Sequence, residues 1–254
     1  MPTHCLRPAA FALLALASVP SLATAETEHV SRTVSVGPGG ALHLNSFSGK
    51  VTVTGSDRQD VTIDAVRRGT RDQLDRIKLD IQSDASTVRI EANRKSRSWF
   101  YWGGNNVVET DFEITVPRRT NLSVTLFSAS LHIRGVEGSH DIRTFSSDTR
   151  LDDVSGSIHA RSFSGSIEIR TSAWLDRQTI SAETFSGGVR LHVPDSAQGS
   201  VEFESFSGRL NTALPLTFRS SSRRHFSGQL GQGSSGHRGT VRVKTFSGDV
   251  SLDR

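Results

Sequence analysis

Cysteine is almost missing from this chain. Cys5 is the only one among 254 residues, and it lies ahead of an apolar run near the N-terminus. Without that segment, disulfides, thiol chemistry and cysteine-ligated metals are excluded. Methionine and tyrosine occur once each, tryptophan three times and proline seven times. Apolar runs are short, well under the ~20 residues that a membrane-spanning helix needs. An excess of one charge is missing too, with 30 basic against 26 acidic residues. The basic pairs Arg67-Arg68, Arg118-Arg119 and Arg223-Arg224 fall in different segments, whereas nucleic-acid binders gather charge on one face. No nucleic-acid partner is expected. The pI of 9.8 reflects a small basic excess with few groups titrating above neutrality. It is compatible with anionic envelope polymers without identifying one.

What the chain does have starts with a secretion signal. Arg7 supplies a positive charge, Phe11 to Val19 an apolar stretch, and Ala23-Thr24-Ala25 a small-x-small cleavage site. Pro20 argues against reading the stretch as the start of a buried helix. Cleavage after Ala25 would remove Cys5 and leave 229 residues. The expected location is periplasmic or secreted.

The strongest signal is a repeat. Phe-Ser recurs in Ser46-Phe47-Ser48-Gly49, Leu126-Phe127-Ser128-Ala129, Thr144-Phe145-Ser146-Ser147, Ser162-Phe163-Ser164-Gly165, Thr184-Phe185-Ser186-Gly187, Ser205-Phe206-Ser207-Gly208, His225-Phe226-Ser227-Gly228 and Thr245-Phe246-Ser247-Gly248. From Phe127 onward the spacing is 18 to 22 residues, in the range of solenoid repeats. Period-two alternation flanks each turn, as in Ile158-His-Ala160 before it and Ile167-Glu-Ile169 after it. Period two means strands with one buried face. The expected fold is all-β: a right-handed flattened parallel β-solenoid, its hand taken from the crossover rule. Thr70 to Ile77 reads as a short helix. Ile77 to Ile81 and Thr87 to Ala92 read as a hairpin, and Val107 to Val116 as a strand closed by Pro117. The expected organisation is a signal peptide over 1–25, an N-terminal β-rich capping section over 26–120 and solenoid repeats over 121–254.

The strand–Ser-Gly–strand units, the step Ile114-Thr-Val-Pro117 before Leu122-Ser-Val124, and the closing Gly239 to Val250 resemble a known group. It is the bacterial β-strand-repeat family called "putative adhesin", a domain of unknown function. The resemblance covers nearly all of the chain after the signal. It implies an extracytoplasmic β-solenoid with an adhesive, surface or envelope-stress role. It supplies no catalytic residues and no cofactor. The recurrent Phe departs from the family, which leaves that position variable.

Two candidate sites follow. Parity places Phe47, Phe127, Phe145, Phe163, Phe185, Phe206 and Phe246 on the outer side, where stacked coils would align them in an edge ladder. Phe226 is ambiguous, because Ser220 to Arg224 breaks the alternation. Either the ladder is exposed, or the turn rotates each ring into a corner, or a cap covers the row. The second candidate is the aromatic run Trp99, Phe100, Tyr101 and Trp102, flanked by Arg94 and Arg97. Such residues dominate binding hot spots and contacts with carbohydrate or lipid interfaces. His132, His159 and the acids Asp141, Asp148, Asp152 and Asp153 read as a solvated face, with a cation among His140 and these acids as a weaker alternative.

The function expected is a non-enzymatic binding or structural module of the cell envelope. Its partner would be an envelope glycan, lipopolysaccharide or envelope protein, with peripheral membrane contact also open. The rivals are a β-helix polysaccharide-degrading enzyme, for which Asp152-Asp153 is the candidate pair, and a surface protein self-assembling through the Phe edge.

Overall fold

The computed structural model describes residues 25–37, 39–95, 107–222, 224–231 and 238–254. The expected signal segment up to residue 24 lies outside them, as does the aromatic run Trp99–Trp102 with Arg97. The described residues form nineteen strands hydrogen-bonded into one curled sheet, and one short helix. The chain opens with β1 (Ala25–Ser35), β2 (Ala41–Ser56) and β3 (Asp60–Thr70). After α1 (Arg71–Arg76) come β4 (Ile77–Ser83), β5 (Thr87–Lys95) and β6 (Glu109–Pro117). β7 (Asn121–Arg134), like β2, runs unbroken through a corner. Paired strands follow: β8 (His140–Ser146) with β9 (Thr149–Val154), β10 (Ile158–Ser164) with β11 (Ile167–Thr171), β12 (Thr179–Ser186) with β13 (Val189–His192), and β14 (Gln198–Ser205) with β15 (Leu210–Thr212). β16 (Leu216–Ser221), β17 (His225–Leu230), β18 (Arg238–Ser247) and β19 (Val250–Asp253) close the chain.

Alternation makes these strands what they are. In β10 the side chains of Ile158, Ala160 and Ser162 are buried, and those of His159, Arg161 and Phe163 face out. A strand with one apolar face cannot bury it alone, so each coil lies on its neighbour through parallel hydrogen bonds. Leu122, His140 and Ile158 stand level, then Ile180, Val241 and Val201. The strands before the Phe-Ser corners form one flank, and those after them form the other. Leu42, Leu44, Ile142 and Ile180 from the first flank are buried in one core cluster with Leu131, Leu151, Ile169 and Leu191 from the second. Each such side chain contributes ~1.5–3 kcal/mol on burial.

The corners need glycine where the coils approach most closely. Gly165 has φ 134°, and a Cβ there would meet the Ser147 carbonyl oxygen at 2.2 Å. Gly187, at φ 153°, would meet Gly165 O at 2.1 Å. A side chain at either place would push neighbouring coils apart.

The short helix, the hairpin and the strand closed by Pro117 are present as expected. Thr70 caps α1: its hydroxyl accepts from the Gln73 N–H at 3.3 Å, and the Gln73 side chain accepts from the Thr70 N–H at 2.8 Å. This reciprocal pair is a capping box. β4 and β5 form the hairpin, and β6 ends at Pro117. Antiparallel strands finish both ends, with β4 on β5, β3 and β1 beyond β6, and β17 then β16 on β14. Arg67 is buried at the N-terminal end and pairs with Glu28 and the Ile77 carbonyl.

Chain order is not stacking order. β2 lies between β7 on one side and β5 and β6 on the other. At the far end β18 and β19 insert between the β12–β13 coil and the β14–β15 coil. The chain's last strands are therefore interior to the stack. Deleting residues 238–254 should abolish a cooperative thermal transition and make the remainder sensitive to limited proteolysis. A cooperative melt within a few degrees of the intact chain would show that β14 closes directly onto β12.

His140 is a polar exception in the core, level with Leu122 and Ile158 and fully buried. Its Nε2 lies 3.3 Å from the Ser155 carbonyl oxygen. Burial pushes its pKa down to about 4, with the Ser155 and Val136 backbone groups opposing the shift. The depressed value disfavours the charged form in the folded state. Above pH 6.5 it has no effect. As pH falls from 6.5 to 4 the unfolded chain takes up a proton that the folded chain refuses, at a cost of about 3 kcal/mol. His140→Leu, which matches its column neighbours, should remove that part of the acid lability while leaving stability at pH 7 equal or higher. Ser155 O keeps the Gly138 N–H at 3.0 Å. Urea unfolding at pH 7 and pH 4.5 would measure it, and an unchanged pH difference in the variant would refute the assignment.

Candidate functional site

The corners deliver seven phenylalanines to one edge of the stack. Phe47, Phe127, Phe145, Phe163, Phe185, Phe246 and Phe206 follow one another in that order, with ring centroids 4.6–5.1 Å apart and planes within 15° of parallel. The spacing is that of hydrogen-bonded strands, so the backbone register sets the rungs. Each ring is 38–52% exposed. The rings are not turned back into the corner, and the parity expectation is met at all seven. Phe226, the ambiguous case, is buried in β17, level with Phe203 of β14.

Ring orientation decides what this edge can offer. Each interior ring is stacked on both faces, so solvent meets ring edges. At one end the guanidinium of Arg224 sits 4.2 Å from the Phe206 centroid and takes that face as well. At the other end Phe47 has only Phe127 as a stacked partner among the described residues.

Two polar rows run beside the rings. The residue after every ladder Phe is Ser: Ser48, Ser128, Ser146, Ser164, Ser186, Ser247 and Ser207. Two residues before the rings, a second row carries Arg143, Arg161, Glu183, Lys244 and Glu204. Its charges are matched within the chain, Arg161 Nε to Glu183 at 3.2 Å, Lys244 Nζ to Glu204 at 3.0 Å, and Arg143 to Asp141 at 2.7 Å. Shallow depressions of about 560 and 450 Å³ lie between this row and the rings, one around Phe185, Phe246 and Phe206 and the other around Phe47, Phe127 and Phe145.

Beneath the ladder, the residue before each Phe points inward and is buried: Ser46, Leu126, Thr144, Ser162, Thr184, Thr245 and Ser205. Among the described residues, the hydroxyls of Ser46, Ser162, Thr184 and Thr245 have no hydrogen-bond partner. A buried unpaired hydroxyl costs ~1–3 kcal/mol.

The remaining candidates separate. Arg94 lies in β5, which carries the chain towards the Phe47 corner, with Ala92 and Asn93 lining the depression there. The acids do not converge on a cation. His140 is in the core, Asp141 is paired with Arg143, and Asp148 accepts from the N–H and hydroxyl of Ser166 at 2.8 and 2.7 Å. Asp152 accepts from His132 at 2.8 Å and Arg150 at 2.7 Å, and Arg170 bridges it to Glu168. Burial raises the Asp152 carboxyl, and the Arg150 and His132 interactions more than offset it, leaving it below the usual carboxylate range. Asp153 follows at φ 53°, where β9 and β11 slip register. A carboxylate already held by two arginines and a histidine is poorly placed as half of a catalytic pair.

Sequence reasoning missed three features. The Ser row was legible in the invariant Phe-Ser dipeptide. The charged row was legible two positions upstream, once the strands were aligned. The third, Trp174, is buried in the loop between β11 and β12 and donates from Nε1 to Gln198 O at 2.8 Å; nothing in the repeat pattern marks it.

The family profile of Toastrack DUF4097 matches residues 111–253, and the chain belongs to that family, a domain of unknown function. No curated protein is a significant match. Among solved structures, a "putative cell adhesion protein" from Clostridium sporogenes is similar at 12% identity, covering 89% of this chain and 99% of its own, with a TM-score of 0.54. That likeness supports the fold. A "putative adhesin" from Bacteroides fragilis is more distant, at 10% identity and a TM-score of 0.36, covering 88% of this chain and 97% of its own.

Thr184→Val replaces an unpartnered hydroxyl with a methyl group of the same shape. It should stabilise the chain by about 1 kcal/mol and raise Tm by ~2–4 °C in calorimetry. A lowered Tm would mean that the hydroxyl finds a partner in solution.

Proposed function

We propose that this chain is a non-enzymatic, extracytoplasmic binding or structural module of the bacterial cell envelope. In this reading residues 1–25 direct export, residues 26–120 form the N-terminal β-rich section, and residues 121–254 form a right-handed solenoid of 18–22-residue repeats. The partner is an envelope component: a glycan, lipopolysaccharide, an envelope protein or the membrane surface itself.

One observation carries the reading, the exposed ladder. Half-exposed phenyl groups in an unbroken row form an apolar strip of the kind that marks a contact surface. Rungs set by main-chain hydrogen bonds are held rigidly, so little conformational entropy is lost when a partner covers them. The aromatic run Trp99–Trp102, with Arg94 and Arg97, is a second contact in this proposal.

The test is co-sedimentation of the exported chain with peptidoglycan sacculi and, separately, outer-membrane vesicles, at low and high salt. Binding to at least one should survive high salt and fall at least tenfold in the variant Phe145→Ser, Phe163→Ser, Phe185→Ser. A variant with Trp99→Ser, Phe100→Ser, Tyr101→Ser and Trp102→Ser reports the second contact separately. No binding to either material would overturn the envelope reading. Binding that salt abolishes and neither variant alters would indicate diffuse electrostatics instead.

A further inference from the structure

The ladder's geometry narrows the class of partner. Sugars bind aromatic side chains by laying a C–H face on a ring face. Here the interior ring faces cover one another at 4.6–5.1 Å, and Arg224 takes the free face of Phe206. A glycan therefore meets ring edges along most of the ladder. A charged polymer is not called for either, since Arg143, Arg161 and Lys244 already have carboxylate partners. A strand-adding peptide needs a free sheet edge, and the ladder is at a corner where hydrogen bonds run along the stack.

A second copy of the chain is the nearer competitor. Seven phenyl groups about half exposed offer on the order of 600 Å² of apolar edge, taking ~200 Å² for each full ring. That is at the upper limit for the largest patch on a soluble monomer, yet short of the ~800 Å² per partner of a stable interface. The strip is one ring wide, so two facing ladders would touch along a line.

One target fits a line. At the ~4.8 Å inter-strand spacing, seven rungs span roughly 29 Å. Their similar exposure, 38–52%, leaves the rings protruding to a similar degree along the row. The Ser row on one side and the internally paired charges on the other supply polar shoulders beside the rings. A single apolar row between polar shoulders matches a planar boundary between hydrocarbon and headgroups, where an amphipathic element lies in the plane and inserts ~5–10 Å. Such a surface accepts ring edges without directional demands.

We propose that the phenylalanine edge docks into the headgroup–acyl boundary of a lipid bilayer, with the long axis of the stack lying in the membrane plane. The proposal rests on the reading of the ladder as the contact surface and names its partner as lipid.

Flotation of the exported chain with vesicles tests it, using phosphatidylcholine alone and a 2:1 mixture with phosphatidylglycerol. The chain should float with both, at low and high salt. The triple Phe→Ser variant at 145, 163 and 185 should lose at least tenfold in partitioning, and the matching Phe→Leu variant should keep most of it. A second readout leaves the rings intact. Polarity-sensitive dyes on Ser146→Cys, Ser164→Cys and Ser186→Cys should shift to the blue by similar amounts on vesicle addition, while a dye on Ser251→Cys of the opposite flank stays aqueous. The proposal is overturned if the intact chain does not float, if the Ser variant floats equally, if flotation requires anionic lipid at low salt, or if the three dyes stay aqueous. Ladder-dependent binding to sacculi without flotation would overturn the lipid assignment while leaving the contact edge in place. Ladder-dependent dimerisation without flotation would assign the edge to a second copy.

Discussion

Everything in this molecule depends on the parallel hydrogen bonds that hold one coil on the next. They fix the step between coils near 4.8 Å, and they do so in register, with Thr144 beside Ser162 and Ser146 beside Ser164. A residue type repeated at one position of the coil thereby becomes a column in space. The inward columns of Leu, Ile and Val close the core, and the outward column of Phe becomes the ladder. Stability is then a sum over neighbouring interfaces. An interior coil has two such interfaces, which is why the placement of β18 and β19 inside the stack matters. The C-terminal residues complete two interfaces where a terminal coil would complete one.

Much of the coil's internal design was legible in the sequence because it is local. Period-two alternation identified strands and parity identified their outer faces; Ile158, Ala160 and Ser162 are buried as that count requires. The N-terminal helix was legible as the segment Thr70 to Ile77, and its capping box became visible only in the structure. Stacking order was not legible, because strands with the same alternation are locally interchangeable as partners. What separates them is volume in depth. The second inward position of the first flank is Ala160, then Ala182, then Val243, then Phe203 along the stack. Phe203 is level with Phe226 at the antiparallel end, where the tight packing between successive coils stops. Chain order would put Phe203 directly on Ala182; the structure interposes Val243. Gly199 and Gly239 mark the same join, since a Cβ on Gly199 would meet Gly239 O at 1.9 Å. A pairwise steric fact of this kind has no signature in a single strand.

The polar residues of the interior show a different constraint. His140 and the four unpartnered hydroxyls under the ladder lower stability relative to apolar residues of similar shape, yet the hydroxyls recur at one position of the coil. The hydroxyl column lies directly under the tight corner, where five of the seven coils place glycine. Six of its seven members are Ser or Thr, and Leu126 occurs where the corner residue is Ala129. Ser205 shows one use of such a hydroxyl, accepting the Gly208 N–H at 2.6 Å to close its own turn. The column is therefore tied to the corner's geometry, and through the corner to the outward direction of the next residue, the ladder Phe.

That coupling explains why the candidate site is an edge and not a pocket. A pocket gathers unlike residues from distant parts of a chain, and a single misplacement spoils it. Here one rule, Phe-Ser after an inward residue, is written seven times, and the backbone register copies it into a line. Such a site trades specificity for length. Losing one ring removes about a seventh of the contact and the stacking of two neighbours, so affinity should decline gradually with the number of rings removed. It also tolerates a partner without fixed chemistry, provided that partner is apolar and extended. An enclosed site for a single small ligand would have needed a break in the repeat at one coil. The described corner shows none between Phe47 and Phe206. Contact distributed over many equal rungs, with no unique residue, is what this register produces.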